Sequence, residues 1–295
     1  MTTETVEKAA PTPFDEGMDV LVDESVYDFT SKSEVTEAVN STNASIAQII
    51  GPGAAPEIDP PEDGSVRLPG GLITKDGLVR SAVVRELTGE DEEALSKARG
   101  NPLRVTQTLL KAVETIGGEP VSNKVLKDLL VGDREALFLG IRIATFGKEI
   151  KFEEVECPGC KERLDITVDL TELPTRELAD PEKREFEVAL RNGVAVVRLL
   201  NGGDQDAVLE EVEATGAEEN TTLLSRSVIS INGTKVNNSK AAVKKLGIKD
   251  RQTLLTFLVE TAPGPRYDEV KSKHEVCDTE IPLYLAVDDL FRDLL

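Results

Sequence analysis

CPGC at residues 157–160 and HEVC at residues 274–277 decide how this chain is read. Cys157, Cys160 and Cys277 are every cysteine in 295 residues, and His274 is the one histidine. Cys-x-x-Cys and His-x-x-Cys have the spacing at which a tight turn aims two ligands at a single tetrahedral zinc ion. Alone, a CxxC is equally a redox pair and an HxxC is noise. As two pairs that exhaust the inventory, they read as one structural Cys3His zinc site. Four protein ligands, three of them thiolates, close the coordination shell and leave no position for a catalytic water. The plainer alternative is that no metal binds and two turns merely pack. Unpaired thiols in loops flanked by Glu156, Lys161, Glu162 and Asp278 weigh against it.

The surroundings of the two stretches match. Asp133-Arg134 opens the apolar run DREALFLGIRI, and Cys157 follows Asp133 by 24 residues. Asp250-Arg251 opens DRQTLLTFLV, and His274 follows Asp250 by the same 24. Leu137 then corresponds to Leu254 and Gly147 to Gly264. Upstream, VRELTGEDEEAL from Val84 aligns with VRLLNGGDQDAV from Val197 at an offset of 113, which drifts to 117 at the helices. Leu109, Ile116, Gly118 and Val121 meet Leu223, Ile231, Gly233 and Val236 on the way. The spacing predicts a diverged tandem duplication from about Val66 onward, each half donating two ligands.

The totals bound the rest. With 34 basic and 55 acidic residues the formal charge is −21. That argues against nucleic acid or an anionic membrane as a main partner, because both require basic surface. Aromatic residues are 4% with no Trp, so Leu, Val, Ile and Ala must build the core. Three cysteines, an odd number, point to a reducing compartment. The opening MTTETVEKAAPTPFDE has neither a basic nor an apolar signal-peptide region. No apolar run is long enough to span a membrane.

In chain order, residues 1–63 read as a mobile acidic arm that ends in the Pro/Gly linker GPGAAPEIDPPEDG. Within it, Ser31-Lys32-Ser33-Glu34 is a capping box, followed by Val35, Ala38, Val39, Thr42, Ile46, Ile49 and Ile50 at helical spacing. The helix expected over 33–50 either packs on the body of the protein or docks on a neighbouring subunit. Residues 64–175 form the first repeat and 176–295 the second. Asp76-Gly77 and Asn192-Gly193 turn a hairpin in each. Helices are expected over 101–116, 123–130 and 133–145, with Thr88 capping another, and over 204–214, 221–229, 239–246 and 250–261. LDITVDL at 164–170 and EIPLYLAVDDL at 280–290 read as strands. The fold class is α+β: two units of hairpin plus helical cluster, joined through a split zinc-ribbon-like site.

Catalytic patterns are missing. Gly70-Gly71 and Gly202-Gly203 are turn glycines rather than a phosphate loop. The single histidine is better spent in HEVC than in a triad, and no carboxylate pair stands out from the acidic surface. Asp133-Arg134 and Asp250-Arg251 read as a helix N-cap with an ion-pairing arginine.

LPGGL, VRELTGEDEEAL, the DREALFLGIRIATFG run leading into CPGC, and the closing DLFRDLL resemble the T-even-type phage baseplate hub subunit or hub assembly chaperone family. In that family an Asp-Arg-led apolar helix precedes a Cys-Pro-x-Cys turn, and a second turn near the end carries two cysteines. Here His274 stands in place of one of them. The resemblance covers about 66–295 and leaves the arm out. It implies a non-enzymatic tail protein of a phage or phage-like contractile system, sited in the virion baseplate or the host cytoplasm during assembly. Its partners would be other tail proteins in a hetero-oligomeric assembly. A zinc-stapled cytoplasmic adaptor or chaperone for a basic client is the alternative reading; a hydrolase lacks a site.

Overall fold

The computed structural model describes residues 64–211, 214–236, 238–292 and 294. The arm and the helix expected over 33–50 lie outside them. The described chain is a mixed α/β structure of helices and several small antiparallel sheets. None of its helices is long and apolar enough to cross a membrane.

The first run opens with hairpin β1 (Ser65–Thr74) and β2 (Gly77–Val84), turned at Lys75-Asp76. The pairing register breaks between Arg67 and Leu72, where LPGGL bulges. Helix α1 (Gly89–Ala98) then starts at a reciprocal cap: Thr88 accepts from the Asp91 amide, and Asp91 accepts from the Thr88 amide. Arg85 clamps the same carboxylate at 2.6 Å, holding it down at about 2 by hydrogen bonding.

Helix α2 (Pro102–Leu109) is shorter than the 101–116 expected. One 3-10 turn follows, and the chain becomes strand β3 (Val113–Ile116) beside β2, returning as β4 (Glu119–Pro120). Val113, Thr115 and Ile116 are β-branched and sit more easily on a pleated surface than in a helix. Helices α3 (Asn123–Asp128) and α4 (Val131–Phe146) lead to hairpin β5 (Glu149–Glu156) and β6 (Arg163–Asp169), with CPGC at its tip. The short β7 (Thr175–Arg176) follows.

The second run repeats this order, except that its short bridge strand precedes the last hairpin instead of following it. Strands β8 (Glu185–Leu190) and β9 (Gly193–Arg198) precede α5 (Gly202–Leu209) and α6 (Gly216–Ser227). Next come β10 (Val228–Ile231), β11 (Thr234–Lys235), α7 (Lys240–Lys244) and α8 (Ile248–Thr261). The bridge β12 (Gly264–Pro265) pairs with β7, and hairpin β13 (Lys271–His274) and β14 (Thr279–Pro282) carries HEVC at its tip. Both four-stranded sheets are meanders, β1-β2-β3-β4 and β8-β9-β10-β11. The cap recurs as well: Asn201 and Asp204 reciprocate, and Arg198 clamps Asp204 at 2.7 Å.

Among the described residues there are two large apolar cores, and a small third cluster of Leu130, Leu178 and Leu199. Val188, Ala195, Val197, Leu224, Leu254 and Leu258 lie in the second, built wholly from the second run. The first core takes Leu68, Leu95, Leu137 and Ile141 from the first run, but also Ile281, Leu283, Leu285, Leu290 and Phe291 from the end of the chain. EIPLYLAVDDL is a strand only to Pro282. Beyond it the chain stays alternating, with Leu283 and Leu285 buried and Tyr284 87% exposed, and then forms a 3-10 helix over Val287–Phe291. Its ladder ends because β13 offers only four residues to pair with.

Neither Asp133 nor Asp250 caps its helix, as the sequence reading had them. The caps are Leu130 and Gly247, without side-chain bonds. Asp133 Oδ1 instead accepts from the Gly70 and Gly71 amides at 2.7 and 3.2 Å, pinning the LPGGL bulge. Asp250 accepts from the Arg191 amide at 3.0 Å, pinning the β8–β9 turn. Each aspartate therefore holds the hairpin of its own run. Arg134, 1% exposed, crosses between runs to Asp206 at 2.9 Å and to the Gly202 carbonyl. At the same junction the backbones touch, since a Cβ on Gly132 would lie 1.7 Å from the Pro263 carbonyl oxygen.

Candidate metal centre

Each of the two tips is closed in the same way. The Lys161 amide donates to the Cys157 carbonyl at 3.0 Å, and the Asp278 amide donates to the His274 carbonyl at 2.8 Å. Lys161 (φ 66°) and Asp278 (φ 58°), each directly after a cysteine, take the left-handed conformation that reverses the turn. A left-handed residue there is costly for non-glycine side chains, so both turns are held by what surrounds them.

The tips face one another, and all four side chains singled out in the sequence converge. Their ligand atoms lie within 4.8 Å of one another. Cys157 Sγ is 3.5 Å from Cys277 Sγ; His274 Nδ1 is 3.3 Å from both Cys160 Sγ and Cys277 Sγ. Zinc–sulfur bonds of about 2.3 Å and zinc–nitrogen bonds of about 2.0–2.1 Å in a tetrahedron require S–S near 3.8 Å and S–N near 3.6 Å. These three separations are within a few tenths of an ångström of those values, and no pair in the cluster exceeds 4.8 Å. A sulfur pair at 3.5 Å is far outside the disulfide bond length of about 2.05 Å. Cys157 and His274 are buried, Cys277 is half-buried and Cys160 exposed.

The electrostatics favour thiolates at Cys157 and Cys277, whereas at Cys160 a hydrogen bond from the Glu162 backbone is outweighed by burial and the neighbouring sulfurs, which raise it. Hydrogen bonding with Thr279, whose Oγ1 is 3.2 Å from the sulfur, pulls Cys277 down to about 6. Backbone amides of the turn, Cys160 foremost, lower Cys157. The Cys157 and Cys277 sulfurs in turn raise His274. The donor set, its spacing and its polarity therefore suit a thiophilic divalent ion held with a closed shell.

The family model for the T4 bacteriophage base plate protein matches residues 79–291. The chain belongs to that family. No curated protein and no solved structure matches it. The base plate match runs from Val79 in β2 to Phe291, so it takes in both runs and both tips. Base plate membership places the chain with the phage tail and its proteins, and it supports a structural role over a catalytic one.

Three residues that the ligand spacing did not single out shape this site of the base plate protein. His274 presents Nδ1 to the sulfurs and leaves Nε2 3.6 Å from Glu162 Oε2. A carboxylate behind a ligating imidazole fixes its tautomer and orientation. Thr279 supports Cys277, as above. Gly159 lets the tips meet, because a Cβ there would sit 2.3 Å from Thr279 Oγ1. Glu162 follows Cys160 by two residues and Thr279 follows Cys277 by two. Position just beyond each turn was the available signal.

Proposed function

We propose that this chain is a non-enzymatic structural or assembly protein of a phage tail, or of a phage-like contractile tail, acting at the baseplate hub and stapled by one structural zinc ion. Cys157, Cys160, His274 and Cys277 hold the ion. The observation that carries this reading is the meeting of two ligand pairs more than a hundred residues apart, inside the region the family covers. A metal bridging such distant positions closes a long loop, and its binding free energy becomes folding free energy. Zinc supplies no reaction here. It fixes the β13–β14 hairpin to the first core, where Ile281, Leu283 and Leu285 would otherwise hold it alone.

The two runs are tandem copies. Shared element order, both meander sheets, the repeated cap-and-arginine clamp and the two left-handed turn residues support this. The facing hairpins are then a zinc ribbon split between copies. Partners are other tail proteins, reached in part through residues 33–50; tethering such a segment in an assembly raises its effective concentration.

Elemental analysis of protein purified without chelator tests the staple: about one zinc per chain is expected. Zinc below a tenth of that with thiols intact sinks it. Mass spectrometry of purified tails tests the location. Retention makes the chain a resident subunit, whereas absence from tails that cannot form without it makes it an assembly chaperone. Removal of residues 1–63 leaves a zinc-loaded body that no longer enters or builds the complex.

A further inference from the structure

In the first run, Leu95, Leu109, Phe138 and Ile141 of α1, α2 and α4 are all buried. They share their core with Leu290 and Phe291 of the closing segment, which are 2% and 1% exposed. Phe291 borders the same cavity as Leu109 and Phe138. The chain thus packs its own aliphatic–aromatic pair on this helical face, beside a cavity of about 660 Å³.

At the matching positions of the second run stand Val208, Leu223, Leu255 and Leu258. Leu258 is buried, but the other three are half-buried, and Val259 beside them is 60% exposed. Together they line a groove of about 340 Å³, closed on its other side by the start of α4. Only Glu135, Gln205 and Arg266 bring polar side chains to it. Leu290 and Phe291 share the core in which the four first-run residues are buried, whereas three of their four counterparts in the second run stay half-buried among the described residues.

We propose that this groove is a socket for a short segment of a partner protein that presents an aliphatic–aromatic pair from one helical turn, the chemistry of Leu290-Phe291. Recognition of this kind seats a few apolar anchors of a short segment in a hydrophobic groove. A second copy of this chain is disfavoured as the occupant, because its own pair is already buried in its first core. The inference rests on reading the two runs as copies.

The probe is a labelled synthetic peptide, AVDDLFRDLL, the sequence of residues 286–295. It is titrated into the whole 295-residue chain at about 0.15 M salt, where charge repulsion is screened beyond about 8 Å. Saturable binding is expected, weakened at least about tenfold by Val259→Arg, and lost when the Leu-Phe pair of the peptide becomes Ala-Ala. Val259 is exposed, so the variant should melt as the parent does. Three outcomes overturn the socket: no saturable binding up to about millimolar peptide, binding untouched by Val259→Arg, or a concentration-dependent dimer that Val259→Arg abolishes. Superposing an experimental structure of 84–173 on 197–290 tests the copies separately. Copies that superpose around a groove that binds nothing would remove the socket and leave the repeat.

Discussion

Gly159 and Thr279 stand so close that the first carries no side chain: a Cβ on Gly159 would lie 2.3 Å from Thr279 Oγ1 and 3.1 Å from its Cβ. The two residues come from opposite hairpins, and their contact sets how near the four ligands can approach.

Gly159→Ala should therefore pry the tips apart. Overpacking of this kind costs roughly 1–3 kcal/mol, and zinc content should fall with melting temperature. Adding Thr279→Ala removes the nearest atom and should restore part of both. Parental zinc content and melting in the single variant would show that the tips have slack.

Glu162→Gln removes the charge behind His274 while keeping the shape. Glu162 is exposed, so the fold should hold; zinc affinity, read by chelator competition, should drop roughly 10- to 100-fold. An unchanged affinity would mean that the 3.6 Å approach has no bearing on the imidazole.

Arg134→Ala leaves Asp206 buried without its partner, a change that typically costs about 3–5 kcal/mol. Arg134→Met with Asp206→Leu should recover much of the loss, because an apolar pair requires no compensation. Denaturant unfolding measures both. Arg134 ties the two runs, so the single variant should also spread one transition into two, one for each core.

Glu135 is pushed up to about 7 by burial, against an opposing pull from Arg266. A carboxyl with a folded value above its unfolded one binds more protons in the folded state. Stability from this group is then full below about 4.5 and is lost as pH rises through about 7. Glu135→Gln should match the parent near pH 4 and exceed it by roughly 1–3 kcal/mol at pH 8. A difference that stays constant across that range would rule out the titration.

The four side chains that converge at the two tips were legible because the sequence contains no other cysteine or histidine to compete with them. The hairpins were legible through Asp76-Gly77 and Asn192-Gly193, whose turn chemistry is local. What escaped is decided at a distance. The apolar spacing of 101–116 suits a helix, yet Ile116 pairs with Ala82 in β2 and the chain follows the sheet. Asp133 looks like a cap until Gly70, 63 residues away, brings its amide to the carboxylate. Nothing in EIPLYLAVDDL announces that it will be built into the first core.

That last placement reverses the usual order of synthesis and folding. Domains generally fold as they emerge from the ribosome, the earlier ones first. Here the core made of residues 188–258 has all of its members before the one begun at Leu68, which waits for Ile281, Leu290 and Phe291. The half translated first is the half completed last. A chain interrupted between Leu258 and His274 would hold one complete core, one unfinished core and two of the four clustered cysteine and histidine side chains. Its first core would present to solvent the apolar surface that Ile281, Leu290 and Phe291 cover in the finished chain.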